Sequence, residues 1–222
     1  ESFQYDPLKP LYVSLDLGGQ QDLTVLIWWQ FDGTTFKCVD SYHNRSKPVD
    51  WYVPFLNPEA LWNPESYNDY QKKMIEEKKK WKKPVMYFGE ADHFARRHPT
   101  NTSSAQVLAK YGVRLQCNNY AITHEPRRRA METLFPRMMF NRDSDGAMRV
   151  YDAIAQSRYQ GNVRTTTENL KPIHDAEIAD FRAAAENGAS NFTRLLRHQR
   201  TDLPTDTGSR DFHREMLKSL RI

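Results

Sequence analysis

The sequence predicts an α/β domain with a mixed central sheet, one part of which is an antiparallel meander. Three observations support this class. Three β-type segments separated by tight turns open the chain, helical patterns then alternate with short apolar strands, and no internal repeat or low-complexity tract interrupts them. The predicted order is β-β-β-α-β-α-β-α-β-α-α, which differs from the strict strand and helix alternation of a doubly wound sheet.

The first three predicted strands form the meander. Residues 11–15 are an apolar run, and two successive glycines make the turn after it. Residues 23–31 are rich in β-branched and aromatic side chains, as strands are. Asp32-Gly33 is a hairpin signal, and residues 35–42 alternate as a third strand. Trp28 and Trp29 adjoin in the second strand, so their side chains should face opposite ways and one of them should belong to the core.

Helices and short strands alternate in the rest of the chain. Asn63 and Pro64 are typical of a helix start, as the N-cap and the first helical residue, and Pro84 ends this helix. Gly112 follows a later helix as its C-terminal glycine. The other predicted elements are strands at residues 85–89, 113–117 and 137–140, helices at 103–111, 126–134, 147–158 and 174–186, and a polar loop at 160–172.

The bulk properties restrict the class of protein. At 222 residues with 39% hydrophobic residues, the chain can form one sizeable domain with a real core. The longest apolar run, residues 25–29, is far too short for a membrane span, and no secretory signal opens the chain. Cys38 and Cys117 lie far apart, which argues against a disulfide framework or zinc site and favours a reducing compartment. A net charge of +4 and a pI of about 9.0 are compatible with a polyanionic partner.

Three regions are predicted along the chain. Residues 1–10 contain two prolines and no periodicity, and we expect a linker from an upstream domain. Residues 11–190 form the domain proper. Residues 191–222 hold seven Lys or Arg against four Asp or Glu, and we expect a basic C-terminal tail.

Carboxylates stand on three elements that are far apart in sequence. Asp16 ends the first strand, Glu90 follows a later strand with Asp92 two residues on, and Asp180 lies on a late helix with Glu177 one turn before it. Acids just beyond parallel strand ends are well placed for a site in a crevice. Clustered carboxylates repel unless a cation neutralises them, and hard oxygen ligands suit Mg²⁺ or Mn²⁺. The ordered set therefore indicates a divalent-metal site.

The motifs around these acids resemble a known family. "SLDLGGQQDLT" resembles the D-x-G first-strand motif of the ribonuclease-H-like superfamily. "FGEADHFARR" is similar to the second acidic block in the C-terminal nuclease domain of terminase large subunits from tailed bacteriophages. "IHDAEIADFRAAAE" is similar to the third block of that domain, with His174, Asp175 and Asp180 matching, and "RMMFNRDSDGAMRVYDAIAQSRYQ" resembles the strand and helix before it. The resemblance covers residues 11–186.

Three departures from the family pattern bear on the site. The second acid is usually aspartate, so Glu90 and Asp92 compete for that role. In the third block Arg182 comes one residue early, and alanine stands where an aromatic residue is common. No G-x-x-x-x-G-K-[ST] occurs in the chain, and we therefore expect residues 1–10 to be the linker from an ATPase domain that lies upstream.

The resemblance implies a ribonuclease-H-like fold, in which helices flank the mixed sheet, and a metal-dependent DNA endonuclease of the viral packaging motor. Two Mg²⁺ or Mn²⁺ ions would serve hydrolysis of phosphodiester bonds in concatemeric double-stranded DNA. We expect Asp16 to bridge the ions, because it ends the most central strand and Gly18 leaves room beside it. Glu90 would hold one ion and Asp180 the other. Asp22 is either an outer ligand or the cap of the second strand.

Other residues are expected to support the ligands or to contact DNA. His174, Asp175 and Glu177 would lie behind the ligands, although His174 is equally consistent with a loop residue and Asp175 with an acid favoured by a helix dipole. DNA contacts should go mostly to phosphates, and so be insensitive to sequence and sensitive to salt. The candidates for these contacts are Arg96, Arg97, Arg127, Arg128 and Arg129.

The resemblance also implies partners and a location. The partners would be double-stranded DNA, the upstream ATPase domain, the portal protein and the small terminase subunit, with no membrane. The location would be the host cell cytoplasm, where viral capsids assemble.

Other functions are open at this point. A junction resolvase or a transposase core would use the same acids, but a resolvase should be an obligate dimer and a transposase should carry out strand transfer. A D-x-G strand also opens actin-like and sugar-kinase-like ATPases; these need further glycine-rich phosphate loops, and the chain has nine glycines in all. A non-catalytic DNA-docking module of the same fold should bind no Mn²⁺.

Overall fold

The structure is a computed structural model that describes residues 1–18, 22–95, 101–118, 123–156, 159–160, 171–172 and 176–201. Only the backbone is described at residues 124, 159–160, 171–172, 176–177 and 197–201. A six-stranded mixed sheet lies at the centre, which confirms the predicted fold class. Its strands are β1 (Leu11–Asp16), β2 (Leu23–Phe31), β3 (Phe36–Arg45), β4 (Met86–Phe88), β5 (Leu115–Gln116) and β6 (Met138–Phe140).

The strand order within this sheet is β5-β4-β1-β2-β3-β6. The first three strands form the predicted antiparallel meander. The strands β4, β5 and β6 are parallel neighbours of β1, β4 and β3 respectively. A separate antiparallel pair, β7 (Tyr159–Gln160) and β8 (Lys171–Pro172), takes residues from within or beside the segment predicted as a polar loop. The meander therefore sits inside the sheet, with parallel strands added on both of its sides.

Helices cover both faces of the sheet. They are α1 (Val53–Leu56), α2 (Asp69–Lys79), α3 (Ser104–Ala109), α4 (His124–Leu134), α5 (Asp145–Gln156) and α6 (Ala176–Thr201). Side chains of α4, α5 and α6 share one hydrophobic core with one face, and side chains of α1, α2 and α3 share a second core with the other. No helix in the described part of the chain is both long and apolar enough to cross a membrane.

The helix predicted to start at Asn63 begins later. Asn63 caps a single 3₁₀ turn, Pro64–Ser66, and its side chain accepts a hydrogen bond from the Glu65 amide at 3.1 Å. The α-helix starts at Asp69, because Asn68 and Gln71 form a capping box in which each side chain bonds the backbone amide of the other. The sequence contained two helix-start signals in succession, and the complete capping box sets the start of the helix.

The last helix is longer than predicted. It was expected over residues 174–186, whereas α6 runs from Ala176 to Thr201. The apolar stripe of this helix continues well past the polar residues at 186–187, because the core contains its side chains Ala184, Ala185, Ala189 and Phe192. The boundary placed at residue 190 therefore falls inside a continuous helix.

Successive side chains of β1 and β2 point to opposite faces of the sheet, and this determines which of them contact α6. Trp28 and Trp29 face opposite ways as predicted, but both are core residues, because helices cover both faces. On β1, Tyr12 packs edge-on against Phe192 of α6, and Asp16 shares its face by the two-residue period of a strand. Asp16 therefore ends β1 on the side that α6 covers.

The N-terminal residues pack against the domain. The Gln30 side chain accepts from the Asp6 amide at 2.9 Å and donates to the Asp6 carbonyl at 2.7 Å. Tyr5 stacks on Trp81 with ring centroids 4.9 Å apart. Residues 1–10 therefore have a defined position on the sheet and α2 side, whereas their predicted role as a linker from another domain stays a prediction.

Candidate active site

The ends of two neighbouring parallel strands bring two of the predicted acids to one edge of the sheet. In the register of β1 with β4, Ser14 pairs with Phe88. Asp16 and Glu90 each follow two residues later, so they leave the sheet side by side. Their side chains are 19% and 20% exposed, and Glu90 acts electrostatically on Asp16. Both carboxylates are therefore close to each other and open to ions from solvent.

The third acid reaches the same place from α6, which packs across β1 and β2. Asp180 accepts a hydrogen bond from the backbone amide of Leu23, the first residue of β2. It also interacts electrostatically with Asp16 and with Asp22, whose side chain is exposed. The structure thus places Asp16, Glu90 and Asp180 near one another, with Asp22 at the margin.

The turn between β1 and β2 is tight at Gly18. Its amide donates to the Thr24 hydroxyl at 3.1 Å. A Cβ placed on Gly18 would lie 2.5 Å from the Asp22 carbonyl oxygen and 2.7 Å from the Leu23 carbonyl carbon, both of them backbone atoms. A glycine is therefore required here by the close approach of two backbone segments, and these segments carry Asp16 and the amide that holds Asp180.

Burial and mutual repulsion alter the acidity of two carboxyls. Burial raises the pKa of Asp16, and the negative charge of Glu90 raises it further, while the neighbouring His93 side chain opposes both. Burial raises the pKa of Asp180 to about 6, and the charges of Asp16 and Asp22 add to the effect. These carboxylates therefore repel one another in the metal-free protein, and a bound cation would relieve that repulsion.

A buried histidine supports the pair of strand ends. His93 is 3% exposed, and its Nε2 lies 3.8 Å from Oδ1 of Asp16. Its Nε2 and Nδ1 each lie 3.1 Å from a backbone amide nitrogen, that of Leu17 and that of Glu90 respectively. The ring thus packs between the backbone that follows β1 and the backbone that follows β4, and a neutral imidazole accepts a hydrogen bond from one of the two amides. Sequence reasoning missed His93; its spacing three residues after Glu90, at the start of a short 3₁₀ helix, was the available signal.

Two more buried polar residues hold the Glu90 carboxylate. Arg127 of α4 is 5% exposed, and its guanidinium lies 2.5 Å from Oε1 of Glu90 and 3.2 Å from Oδ1 of Asn187. Asn187 of α6 donates to the Leu15 carbonyl at 3.1 Å and lies 3.4 Å from the same Oε1. Asn187 was also missed by the sequence analysis. It lies seven residues after Asp180, two helical turns along the same face of α6.

The other candidate DNA contacts are placed differently from one another. Arg127 is buried, so its guanidinium points into the site and not outward as a surface phosphate contact would. Arg128 is paired with Glu125 and Glu132, and Arg129 is more exposed and paired with Glu125. Arg96 and Arg97 lie outside the described residues.

The remaining predicted site residues are at the edge of what the structure describes. The Asp92 side chain is exposed, in the first turn of the 3₁₀ helix Ala91–Phe94, whereas Glu90 is held at the site. His174 and Asp175 lie outside the described residues, and the Glu177 side chain is not described.

The three carboxylates are suitable ligands for a hard divalent cation, although their side chains are not arranged as a complete metal site. Within the described ranges, no group of three or more His, Cys, Asp or Glu side chains is arranged to hold a metal. Three carboxylates from three elements nevertheless share one edge and perturb one another's charge. Carboxylate oxygens are the ligands that Mg²⁺ and Mn²⁺ take, so Asp16, Glu90 and Asp180 are the residues that could hold such ions.

Comparison with known proteins gives a match at the level of structure. No protein-family model matches the chain, and no curated protein matches it in sequence. The large terminase of the thermophilic bacteriophage D6E matches with a TM-score of 0.56 and 16% identity, over 87% of this chain and 42% of that protein. The same protein in complex with ATP-γ-S matches with a TM-score of 0.52 and 16% identity, over 82% of this chain and 39% of the other.

A shorter structure matches along most of its length. It is the large terminase nuclease domain of bacteriophage SPP1 with bound Mn, at a TM-score of 0.49 and 14% identity, over 81% of this chain and 86% of that one. This chain spans about two fifths of the length of the D6E terminase. The predicted resemblance is therefore confirmed in the fold: the chain has the fold of the matched part of a bacteriophage large terminase.

Proposed function

We propose that this chain is the nuclease part of a viral DNA-packaging terminase, a metal-dependent endodeoxyribonuclease that cuts concatemeric double-stranded DNA. One observation carries the proposal: Asp16, Glu90 and Asp180 come from three distant segments to one sheet edge, within the fold of a large terminase. A solvent-accessible group of repelling carboxylates is costly to keep unless it binds a cation.

The roles of the three acids follow from their places. Asp16 interacts electrostatically with both Glu90 and Asp180 and is proposed to be shared by two ions. Glu90 would hold one ion and Asp180 the other. When bound, Mg²⁺ or Mn²⁺ ions lower the pKa of water and stabilise charge on the phosphate and on the leaving oxygen.

The chain's own groups keep these acids in place. His93 packs between the backbone after β1 and the backbone after β4, and its ring faces Asp16. The Leu23 amide holds Asp180 at the start of β2. Because these supports are buried or belong to the backbone, they keep the acids near one another before any ion or DNA arrives.

DNA would be held mainly through its phosphates. The net charge of +4 and the exposed Arg129 are consistent with contacts that do not depend on sequence. The structure of the D6E large terminase was solved in complex with ATP-γ-S. For this chain, the proposed partners are an ATPase domain in the same polypeptide, a portal protein and a small terminase subunit. The proposed location is the host cell cytoplasm.

A second candidate is a non-catalytic DNA-docking module of the same fold. The observation in its favour is that Glu90 already has a positive partner in Arg127. A junction resolvase or a transposase core would use the same acids but give different products. A resolvase would produce resolved junctions and a transposase joined strands, whereas the proposed nuclease produces simple cuts.

The test is plasmid cleavage with Mn²⁺ or Mg²⁺ in the absence of ATP. We expect cutting without marked sequence preference in the unchanged protein and none in Asp16→Asn, while metal-free melting shows that this variant still folds. Asp152→Asn is the matched control, since Asp152 is an exposed acid on α5 that does not belong to the proposed site. Cleavage that persists in excess chelator, or full activity in folded Asp16→Asn, would contradict the proposal, and absence of Mn²⁺ binding would favour the docking module.

A further inference from the structure

The Arg127 guanidinium is buried at the site, where a phosphate contact of the DNA backbone could not reach it. Only 5% of the residue is exposed, and its side chain lies between the Glu90 carboxylate and the Asn187 amide. Burying an unpaired arginine is strongly unfavourable, so the Arg127 guanidinium needs specific partners in the interior. Its location on α4, next to a candidate metal ligand, needs an explanation other than DNA binding.

The contacts fall on one oxygen of Glu90. Arg127 reaches Oε1 at 2.5 Å, and Asn187 lies 3.4 Å from the same atom. A carboxylate held at one oxygen by two side chains has its plane and rotation restricted.

Asn187 also ties this arrangement to Asp16. Its Nδ2 donates to the carbonyl of Leu15, the residue just before Asp16, and its Oδ1 accepts from Arg127. Asn187 is 2% exposed and belongs to α6, the helix that carries Asp180. One side chain thus connects the end of β1, the Arg127 to Glu90 pair and the helix of the third acid.

We infer that Arg127 and Asn187 are positioning residues: they hold Oε1 of Glu90 and so orient its carboxylate for a divalent ion. The inference rests on the proposed function, since it names what prepares the same site. Outer groups that orient metal-binding carboxylates commonly change metal affinity or activity by about 10- to 100-fold when they are replaced.

Charge alone makes the opposite prediction. A guanidinium beside a cation site repels the cation, so removing positive charge should tighten Mn²⁺ binding. Two substitutions separate orientation from charge. Arg127→Lys keeps the charge but replaces the planar guanidinium, whose Nη1 contacts both Glu90 and Asn187, with a single ammonium nitrogen on a shorter side chain. Asn187→Ala changes no charge at all.

The measurement is Mn²⁺ affinity by isothermal titration calorimetry, on protein shown to be folded by metal-free melting. We expect both variants to bind Mn²⁺ about 10- to 100-fold more weakly than the unchanged protein. Arg149→Lys is the control for the first variant, because Arg149 is an exposed arginine of α5 beside His43. Asn141→Ala is the control for the second, because Asn141 is a buried asparagine that holds backbone groups at another edge.

The controls separate positioning from a general structural role. If Asn187→Ala and Asn141→Ala lower the melting temperature alike but only Asn187→Ala weakens Mn²⁺ binding, the inference stands. If either folded variant binds Mn²⁺ as tightly as the unchanged protein or more tightly, it is overturned; should Arg127→Lys fail to fold, Asn187→Ala decides. Failure of the unchanged protein to bind Mn²⁺ overturns the proposed function as well, so the two failures are distinguishable.

Discussion

Replacing Gly18 by alanine tests whether the turn after β1 keeps the acids in register. The new Cβ would lie 2.5 Å from the Asp22 carbonyl oxygen. Ordinary van der Waals contact begins near 3.4 Å, so the backbone at residues 22–23 must move by about 0.9 Å, the difference between these two distances. Backbone atoms cannot rotate away as a flexible side chain can, and the displaced segment includes the Leu23 amide that binds Asp180.

Two effects of Gly18→Ala follow from this displacement. Overpacking of this kind costs about 1–3 kcal/mol of unfolding free energy, or a melting temperature lower by roughly 2–12 °C in a chain of this size. A misplacement of about 1 Å between reacting groups costs on the order of 100-fold in rate. We therefore expect a folded protein with about 1% of the cleavage rate, measured as initial plasmid nicking with Mn²⁺ below the melting transition.

Gly33→Ala is the matched control for this prediction. Gly33 has φ of +103°, and nothing lies within 4 Å of the Cβ position, so alanine is strained but meets no neighbour. The positive φ costs about 1–2 kcal/mol, a similar loss of stability, at a hairpin away from the acids. If Gly33→Ala loses as much activity as Gly18→Ala, the loss reflects stability. If Gly18→Ala cuts DNA at the normal rate, the close approach at this turn does not position the acids.

Two further predictions concern single carboxyls. Glu90→Gln should lower the cleavage rate by orders of magnitude and weaken Mn²⁺ binding, because Glu90 is held beside Asp16. Asp92→Asn should lower the cleavage rate by about tenfold or less, near 1.4 kcal/mol in the barrier, because Asp92 is exposed. If Asp92→Asn has the larger effect, Asp92 is the ligand. For Asp180, the folded pKa of about 6 exceeds the usual value near 3.9, so the metal-free protein loses stability as Asp180 ionises between about pH 4 and 6, and the loss persists above pH 6. Asp180→Asn should therefore raise the metal-free melting temperature at pH 8 and have little effect near pH 4.5; an equal effect at both values would show that ionisation of Asp180 is not the cause.

The local patterns of the sequence determined most of the elements and the three acids. The β-branched and aromatic content of residues 23–31 predicted β2 with its observed bounds, Leu23–Phe31. Asp16, Glu90 and Asp180 were identified because an acid at a strand end, or on a helix next to a motif, is a signal carried within a few residues. Such signals need no knowledge of the rest of the chain, since strand and helix periodicity are properties of neighbouring residues.

Contacts between distant segments decided the rest. The surroundings of Glu90 depend on Arg127 and Asn187, which lie 37 and 97 residues away in sequence, and no local pattern marks one arginine of a triplet as the buried one. The length of α6 was underestimated for the same reason: polar residues such as Glu186 and Asn187 are typical of a helix face in solvent, but here they lie buried against the sheet. The sequence alone therefore identified the acids of the proposed site, while the tertiary structure determined how these acids are held, because burial gives polar side chains partners that the linear order does not reveal.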